Sequence, residues 1–253
     1  MKDYLQEYAD LYSLPFSYRP NQTAIRSREN EYIDKNYKKN VTYTINEYGL
    51  RGSYLASKKL IVYAGCSMTF GIGVDDDETY PSLVTKQLGN EWAGLNIAHP
   101  GTGPDVQMAN ITWAIDNFKI DKLCWYMSDP HRQIIIPEEN VISLYVPVDT
   151  NILPPKLAKR FIEINTKLEE TWWYKTYWNI QTIFSLCKAK KIELYMTCWQ
   201  GEYDYKLQKL KKQYNVKELG NMRNIDLARD ALHPGPKSQA DFARRILGVL
   251  DET

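Results

Sequence analysis

The sequence predicts an α/β protein, a three-layer α/β/α sandwich on a mainly parallel sheet, and three observations carry that expectation. Four short apolar runs rich in β-branched and aromatic residues, at 60–65, 94–98, 122–127 and 192–197, read as strands. Helical patterns fall between and after them, at 79–88, from about 105 to 118, at 157–190 and at 237–250. The chain, at 253 residues, is long enough for one sizeable domain of this kind. Strands alternating with helices of these lengths imply a doubly wound parallel sheet covered on both faces.

Residues 1–42 form a polar, aromatic arm carrying Tyr4, Tyr8, Tyr12, Phe16 and Tyr18. A helix is expected over 3–14 and irregular chain after it, packed on the main domain (43–253) through the tyrosines. From Val41 to Gly52 apolar and polar residues alternate and then turn at glycines.

The central stretch is Leu60-Ile61-Val62-Tyr63-Ala64-Gly65-Cys66-Ser67, a strand that closes in a tight turn with Ser67 at the turn. Ligands bind at the carboxyl ends of strands in open α/β sheets, so a serine there is placed to act as a nucleophile. Serine also favours turns and helix N-caps, which gives a purely structural reading of the same position. Beyond it, the acidic run Asp75-Asp76-Asp77-Glu78 has two readings, a cation site or, preferred, carboxylates that complement the dipole of the helix at 79–88.

The strand at 94–98 runs into His99-Pro100-Gly101-Thr102-Gly103, where His99 is either a second base or a structural residue. The strand at 122–127 ends in Ser128-Asp129-Pro130-His131-Arg132, and Asp129, His131 and Arg132 either contact substrate or close the loop by pairing with one another. Two apolar runs within 133–156 suggest an inserted hairpin or flap, and Pro154-Pro155 marks a boundary before the long helix. That helix carries Trp172, Trp173, Tyr174, Tyr177 and Trp178, a crowd suited to sugar stacking but read first as core or subunit interface. A Lys- and Tyr-rich loop is expected over 199–220.

Near the end stands Asp230-Ala231-Leu232-His233-Pro234-Gly235. A histidine before proline lies outside a helix. An aspartate three residues upstream can hold one ring nitrogen while the other faces outward, the service a carboxylate gives a catalytic base.

Composition narrows the function. Lys and Arg number 32 against 31 Asp and Glu, a formal net charge of +1, so no electrostatic case exists for a nucleic-acid partner. There is no charged n-region followed by an apolar h-region and no apolar run of spanning length, so neither a Sec signal nor a membrane partner is expected. Cys66, Cys124, Cys187 and Cys198 lack C-x-x-C spacing and read as free buried thiols. No metal and no cofactor is expected.

Gly65-Cys66-Ser67-Met68-Thr69 together with Asp230-Ala231-Leu232-His233 resembles the SGNH (GDSL-like) hydrolase family, whose first block is Gly-Asp-Ser-Leu or a variant and whose last is Asp-x-x-His. Asn46, Gly49, Leu50 and Arg51, with the Glu78-Thr79-Tyr80-Pro81 that follows the serine, are similar to a bacterial and phage subset with Asn-x-x-Gly-Phe-Arg before the serine block. Arg51 is itself expected in an ion pair rather than on substrate. The resemblance implies a flavodoxin-like sheet and a triad of Ser67, His233 and Asp230, with Asp226 the fallback acid and Cys66 a non-attacking position. It also implies an oxyanion hole made by the N–H groups of Ser67 and Gly101, with Gly103 the alternative glycine. The family's third block is Gly-x-Asn-Asp, and here Tyr126 stands for the glycine and Ser128 for the asparagine; either the shorter Ser128 hydroxyl assists, another group completes the hole, activity is low, or the substrate brings different demands. The implied function is hydrolysis of small acyl esters, carbohydrate O-acetyl groups first, on an acylated small molecule or glycan. An O-acyltransferase and a binding or assembly protein are the alternatives, and a homo-oligomer is left open.

Overall fold

The computed structural model describes residues 22–27, 40–54, 59–130, 132–135, 142–145, 155–199 and 201–251. The helix expected over 3–14, the arm's tyrosines and His131 lie outside them.

Strand β1 (Gln22–Ser27), where irregular chain was expected, pairs antiparallel with β2 (Asn40–Ile45), whose alternation the sequence shows from Val41, to form a ribbon. Val41, Tyr43 and Ile45 alternate along β2 and bury one face, the period-two pattern of a half-buried strand. Strand β3 (Lys59–Gly65) is followed by a short helix, α1 (Ser67–Phe70), then by a 3-10 turn at Asp76–Glu78 and helix α2 (Tyr80–Leu88). Strand β4 (Trp92–Asn96) leads to α3 (Pro104–Asn117), and β5 (Lys122–Met127) to an antiparallel hairpin of β6 (Arg132–Ile135) and β7 (Ile142–Tyr145). The long helix α4 (Pro155–Lys190), β8 (Glu193–Cys198), α5 (Gly201–Tyr214), β9 (Lys217–Glu218) and α6 (Pro236–Asp251) complete the chain.

The main sheet has the order β4-β3-β5-β8-β9 with every neighbouring pair parallel. Alternate residues of β3 divide between two cores. Leu60, Val62 and Ala64 join residues of α3, α4 and α5 on one face, while Ile61 and Tyr63 join Tyr80 and Val84 of α2 and Phe242, Ala243 and Ile246 of α6 on the other. A strand covered by helices on both faces must be apolar throughout, which is why β3 reads as a continuous hydrophobic run. The result is a three-layer α/β/α sandwich.

Helix α5 occupies the stretch expected as a loop. Lys206, Lys209 and Lys212 face outward, and Tyr203, Leu207 and Leu210, spaced at three and four residues, are buried against β8. Inside it, Lys211 bridges Asp204 at 2.6 Å and Glu218 at 3.3 Å, and Asp204 accepts the Cys198 N–H at 2.8 Å, so one buried cation ties α5 to β8 and β9. On α4, Trp173 and Tyr177 pack on the core, whereas Tyr174 and Trp178 are exposed. All four cysteines are free and buried. Among the described residues, no helix is long and apolar enough to cross a membrane.

Candidate active site

The order of strand addition reverses between β3 and β5, with β4 added on one side of β3, and β5, β8 and β9 on the other. The carboxyl ends of β3 and β5 therefore border the crevice where ligands bind in such sheets. Ser67 leaves β3 at that point, half-buried as the first residue of α1. Its carbonyl accepts the N–H groups of Gly71 (2.9 Å) and Ile72 (3.1 Å), closing α1 after a single turn.

Arg51 holds that turn from one side. It is 3 % exposed and pairs with Asp76 at 2.8 Å, and its remaining N–H groups reach the carbonyls of Phe70 (2.6 Å), Gly71 and Val74 (2.6 Å). Its guanidinium also lies 4.3 Å from the Tyr43 ring centroid. Burial draws its pKa below the usual arginine value, against the opposing charge of Asp76. Arg51 is thus a buried strut that links the β2 ribbon to the serine turn.

The Asp-His loop docks on the same turn from the other side. Arg229 donates its backbone N–H to the Gly73 carbonyl at 3.0 Å, and its side chain, on a residue 4 % exposed, reaches Glu78 at 2.7 and 3.1 Å and Asp75 at 3.4 Å. Gly73 has φ +79°, and a Cβ there would stand 2.7 Å from the Ala228 Cβ, so the two loops meet at a position only glycine fills. Three of the carboxylates expected to complement the dipole of α2, Asp75, Asp76 and Glu78, pair with two arginines. Thr79 caps α2, accepting the Ser82 N–H at 3.3 Å, and the first turn of α2 contains no acid. Among the described residues, no cluster of His, Cys, Asp or Glu is arranged to hold a metal.

Asp230 and His233 meet within this loop. His233 Nδ1 lies 2.5 Å from Asp230 Oδ2, and Asp230 Oδ1 accepts the N–H groups of Leu232 (3.1 Å) and His233 (3.0 Å). Burial pushes the Asp230 carboxyl up, but the His233 ring and the two backbone donors outweigh it, and its pKa lies below the usual aspartate value. An ionised carboxylate at Nδ1 assigns that nitrogen the proton and leaves the Nε2 lone pair available as a base. Ala231, at φ +58°, makes the reversal that folds His233 back on Asp230. The Ser67 hydroxyl faces Cys66 Sγ at 3.9 Å, and no hydrogen bond joins Ser67 to His233 among the described residues. Asp226 serves elsewhere, accepting the N–H groups of Lys237 (3.0 Å) and Ser238 (2.8 Å) at the start of α6.

The third wall is the loop after β4. Gly101 has φ +79° with open space where a Cβ would project, whereas a Cβ on Gly103 would fall 1.8 Å from the Arg132 carbonyl oxygen. Of the two glycines, Gly101 borders space and Gly103 is consumed in packing. His99 Nδ1 lies 3.0 Å from the Pro100 carbonyl, and burial lowers its pKa. Ser128 is 1 % exposed; its hydroxyl donates to the Thr102 carbonyl at 2.9 Å and accepts from Gln107 Nε2 at 2.8 Å. Gln107 Oε1 in turn accepts the Trp125 indole N–H at 2.9 Å. The Ser128 proton is therefore directed at the protein rather than into the crevice. Asp129 is 2 % exposed and its carbonyl accepts the Arg132 N–H at 3.0 Å, closing the turn into β6.

Arg229 and the buried Gln239 of α6 were not singled out by sequence reasoning. Gln239 contacts Met68 and Tyr80, both more than a hundred and fifty residues away in sequence, a separation no local pattern encodes. For Arg229 the available signal was an arginine beside the Asp-x-x-His block and an acidic run without a nearby cation.

No protein-family model and no curated protein matches the chain. Solved structures match its fold. TesA matches with a TM-score of 0.50 and 11 % identity over 77 % of this chain and 99 % of that one. A protein from Desulfitobacterium hafniense DCB-2 described as a lipolytic protein of the G-D-S-L family gives 0.52 and 9 % over 76 % and 99 %. A carbohydrate esterase whose active site is described as displaying divergent catalytic and non-catalytic binding functions gives 0.51 and 10 % over 80 % and 68 %. The chain therefore has the three-layer fold of the GDSL-like (SGNH) hydrolases.

Proposed function

We propose that the protein is a serine ester hydrolase that cleaves small acyl esters, with O-acetyl groups on carbohydrate first among its substrates. The observation that carries this reading is the 2.5 Å pairing of His233 Nδ1 with Asp230, on a loop docked against the turn that follows Ser67. A carboxylate-held histidine beside a strand-end serine has the parts of a general base and a nucleophile.

In this mechanism the Ser67 Oγ attacks the ester carbonyl carbon while His233 Nε2 takes its proton. The tetrahedral oxyanion is held by the N–H groups of Ser67 and Gly101. Collapse of the intermediate expels the alcohol, which receives the proton from His233, and leaves Ser67 acylated. Water, deprotonated by the same nitrogen, then releases the acid and restores the hydroxyl. Asp230 remains ionised and stabilises the imidazolium. Ser67 moves into hydrogen-bond reach of His233 when substrate is bound, as catalytic hydrogen bonds that are long in a free enzyme do.

A second reading is a fold retained for binding, and the commitment of the Ser128 hydroxyl to Thr102 favours it. The carbohydrate esterase with non-catalytic binding functions is a precedent for such divergence on this fold. Hydrolysis of p-nitrophenyl esters of increasing acyl length by wild type and Ser67→Ala separates the two. Turnover abolished by Ser67→Ala, with preference for acetate, is expected; a folded wild type with no turnover gives the binding role.

A further inference from the structure

Helix α1 is too short to satisfy its own carbonyls. The Ile72 N–H, which a longer helix would give to the Met68 carbonyl, goes to Ser67 instead, so Met68 must find a donor outside the helix. Gln239 supplies it, donating Nε2 to the Met68 carbonyl at 3.1 Å while its Oε1 accepts the Tyr80 N–H at 2.9 Å. Its own N–H donates to the Gly235 carbonyl at 3.0 Å. Gln239 is 1 % exposed. One buried amide thus joins the residue after the nucleophile to the segment after the base.

We propose that Gln239 is a positioning residue that sets the separation of Ser67 from His233. The inference rests on the hydrolase reading, in which those two groups must meet. The connection extends past Gln239 itself. Tyr80, whose N–H Gln239 holds, donates its hydroxyl to Thr69 Oγ1 at 3.0 Å, and its ring packs 4.9 Å from that of Phe242 on α6. On the far side of α1, Asn96 Nδ2 donates to the Thr69 carbonyl at 3.0 Å. Helix α1 is therefore gripped by directional bonds from α6, α2 and β4. An apolar side chain would fill the place of Gln239 without the cost of burying an amide, but it would fix no distance.

The test uses Gln239→Met, which keeps the length and loses both hydrogen bonds, and Gln239→Glu, which keeps the acceptor for Tyr80 and loses the donor to Met68. The rate at which an alkyl fluorophosphonate labels Ser67, and kcat and KM for p-nitrophenyl acetate, are measured at a temperature where near-UV circular dichroism shows each variant folded. The expected result is a loss of about tenfold or more in both labelling rate and kcat with KM within about twofold, since small displacements of reacting groups are costly. If Gln239→Met fails to fold, Gln239→Glu decides. Folded variants with lowered melting temperatures but wild-type labelling and kcat would overturn the proposal alone, as would failure of both variants to fold, which would assign Gln239 to the core. A wild type inert to the phosphonate would overturn the hydrolase reading and this proposal with it.

Discussion

Arg229 and Glu78 meet as a fork, Nη1 to Oε2 at 2.7 Å and Nη2 to Oε1 at 3.1 Å, with the Arg229 side chain 4 % exposed. The pair joins the residue before Asp230 to the turn beyond Ser67, so the two halves of the candidate site are held by a charge-assisted bond between segments far apart in sequence. Bidentate geometry adds direction to that bond as well as energy.

Glu78→Gln would take the charge of the fork from the buried Arg229 cation, whose contact with Asp75 is longer, at 3.4 Å. Removing one partner of a buried pair is costly because of the charge left behind, and a loss on the order of 3 kcal/mol is expected in urea denaturation. A loss below about 0.5 kcal/mol, the range of surface pairs, would show that solvent already screens the pair.

Asp230→Asn tests the orienting carboxylate. An amide can donate to His233 Nδ1 and so favour the wrong tautomer, and kcat is expected to fall on the order of a thousandfold or more with the fold retained. A fall of less than about tenfold would remove Asp230 from the triad.

The same carboxylate makes stability depend on pH. Its folded pKa lies below the ordinary aspartate value, so its contribution is complete above that value and is lost as pH falls through the folded pKa. The melting temperature of wild type should therefore drop more steeply from about pH 5 to about pH 3 than that of Asp230→Asn, which has one fewer carboxylate to protonate. Parallel curves would contradict the assignment.

Ser128→Ala separates support from catalysis. Loss of the hydroxyl removes one partner from the Thr102 carbonyl and one from Gln107 Nε2, which keep their mutual bond at 3.3 Å, and a destabilisation of about 1 kcal/mol is expected. With the Ser128 proton committed to Thr102, kcat should stay within about threefold of wild type; an oxyanion donor would cost on the order of a hundredfold or more.

The two candidate glycines should differ as sharply. Gly103→Ala forces a Cβ against the Arg132 carbonyl and should destabilise by about 3 kcal/mol, whereas Gly101→Ala meets open space and bears only the strain of its positive φ, about 1 kcal/mol. Thermal unfolding of both variants measures the difference, and equal losses would show that the loop relaxes around Gly103.

Much of this architecture was legible in the chain because the signals are local. The buried strands read as continuous apolar runs, Ser67 stood at a strand end, and Asp230 and His233 stood at the spacing that folds one onto the other. Helix α5 was missed because lysine and tyrosine on its outer face masked the three- and four-residue spacing of Tyr203, Leu207 and Leu210. The acidic run at 75–78 was legible as charge but not as partner, since Arg51 and Arg229 reach it from 25 residues before and 151 residues after.

The sequence by itself determined the class of fold, the placement of Ser67 at the end of a central strand and the Asp230–His233 pairing, because hydrophobic periodicity, turn residues and an aspartate three positions from a histidine act within a few residues. Only the tertiary structure decided that Ser128 bonds inward to Thr102, that Gly101 rather than Gly103 borders open space, and that Arg51, Arg229 and Gln239 grip the serine turn. Those outcomes depend on the directions of hydrogen bonds between segments distant in sequence, and such directions exist only once the sheet has brought the segments together.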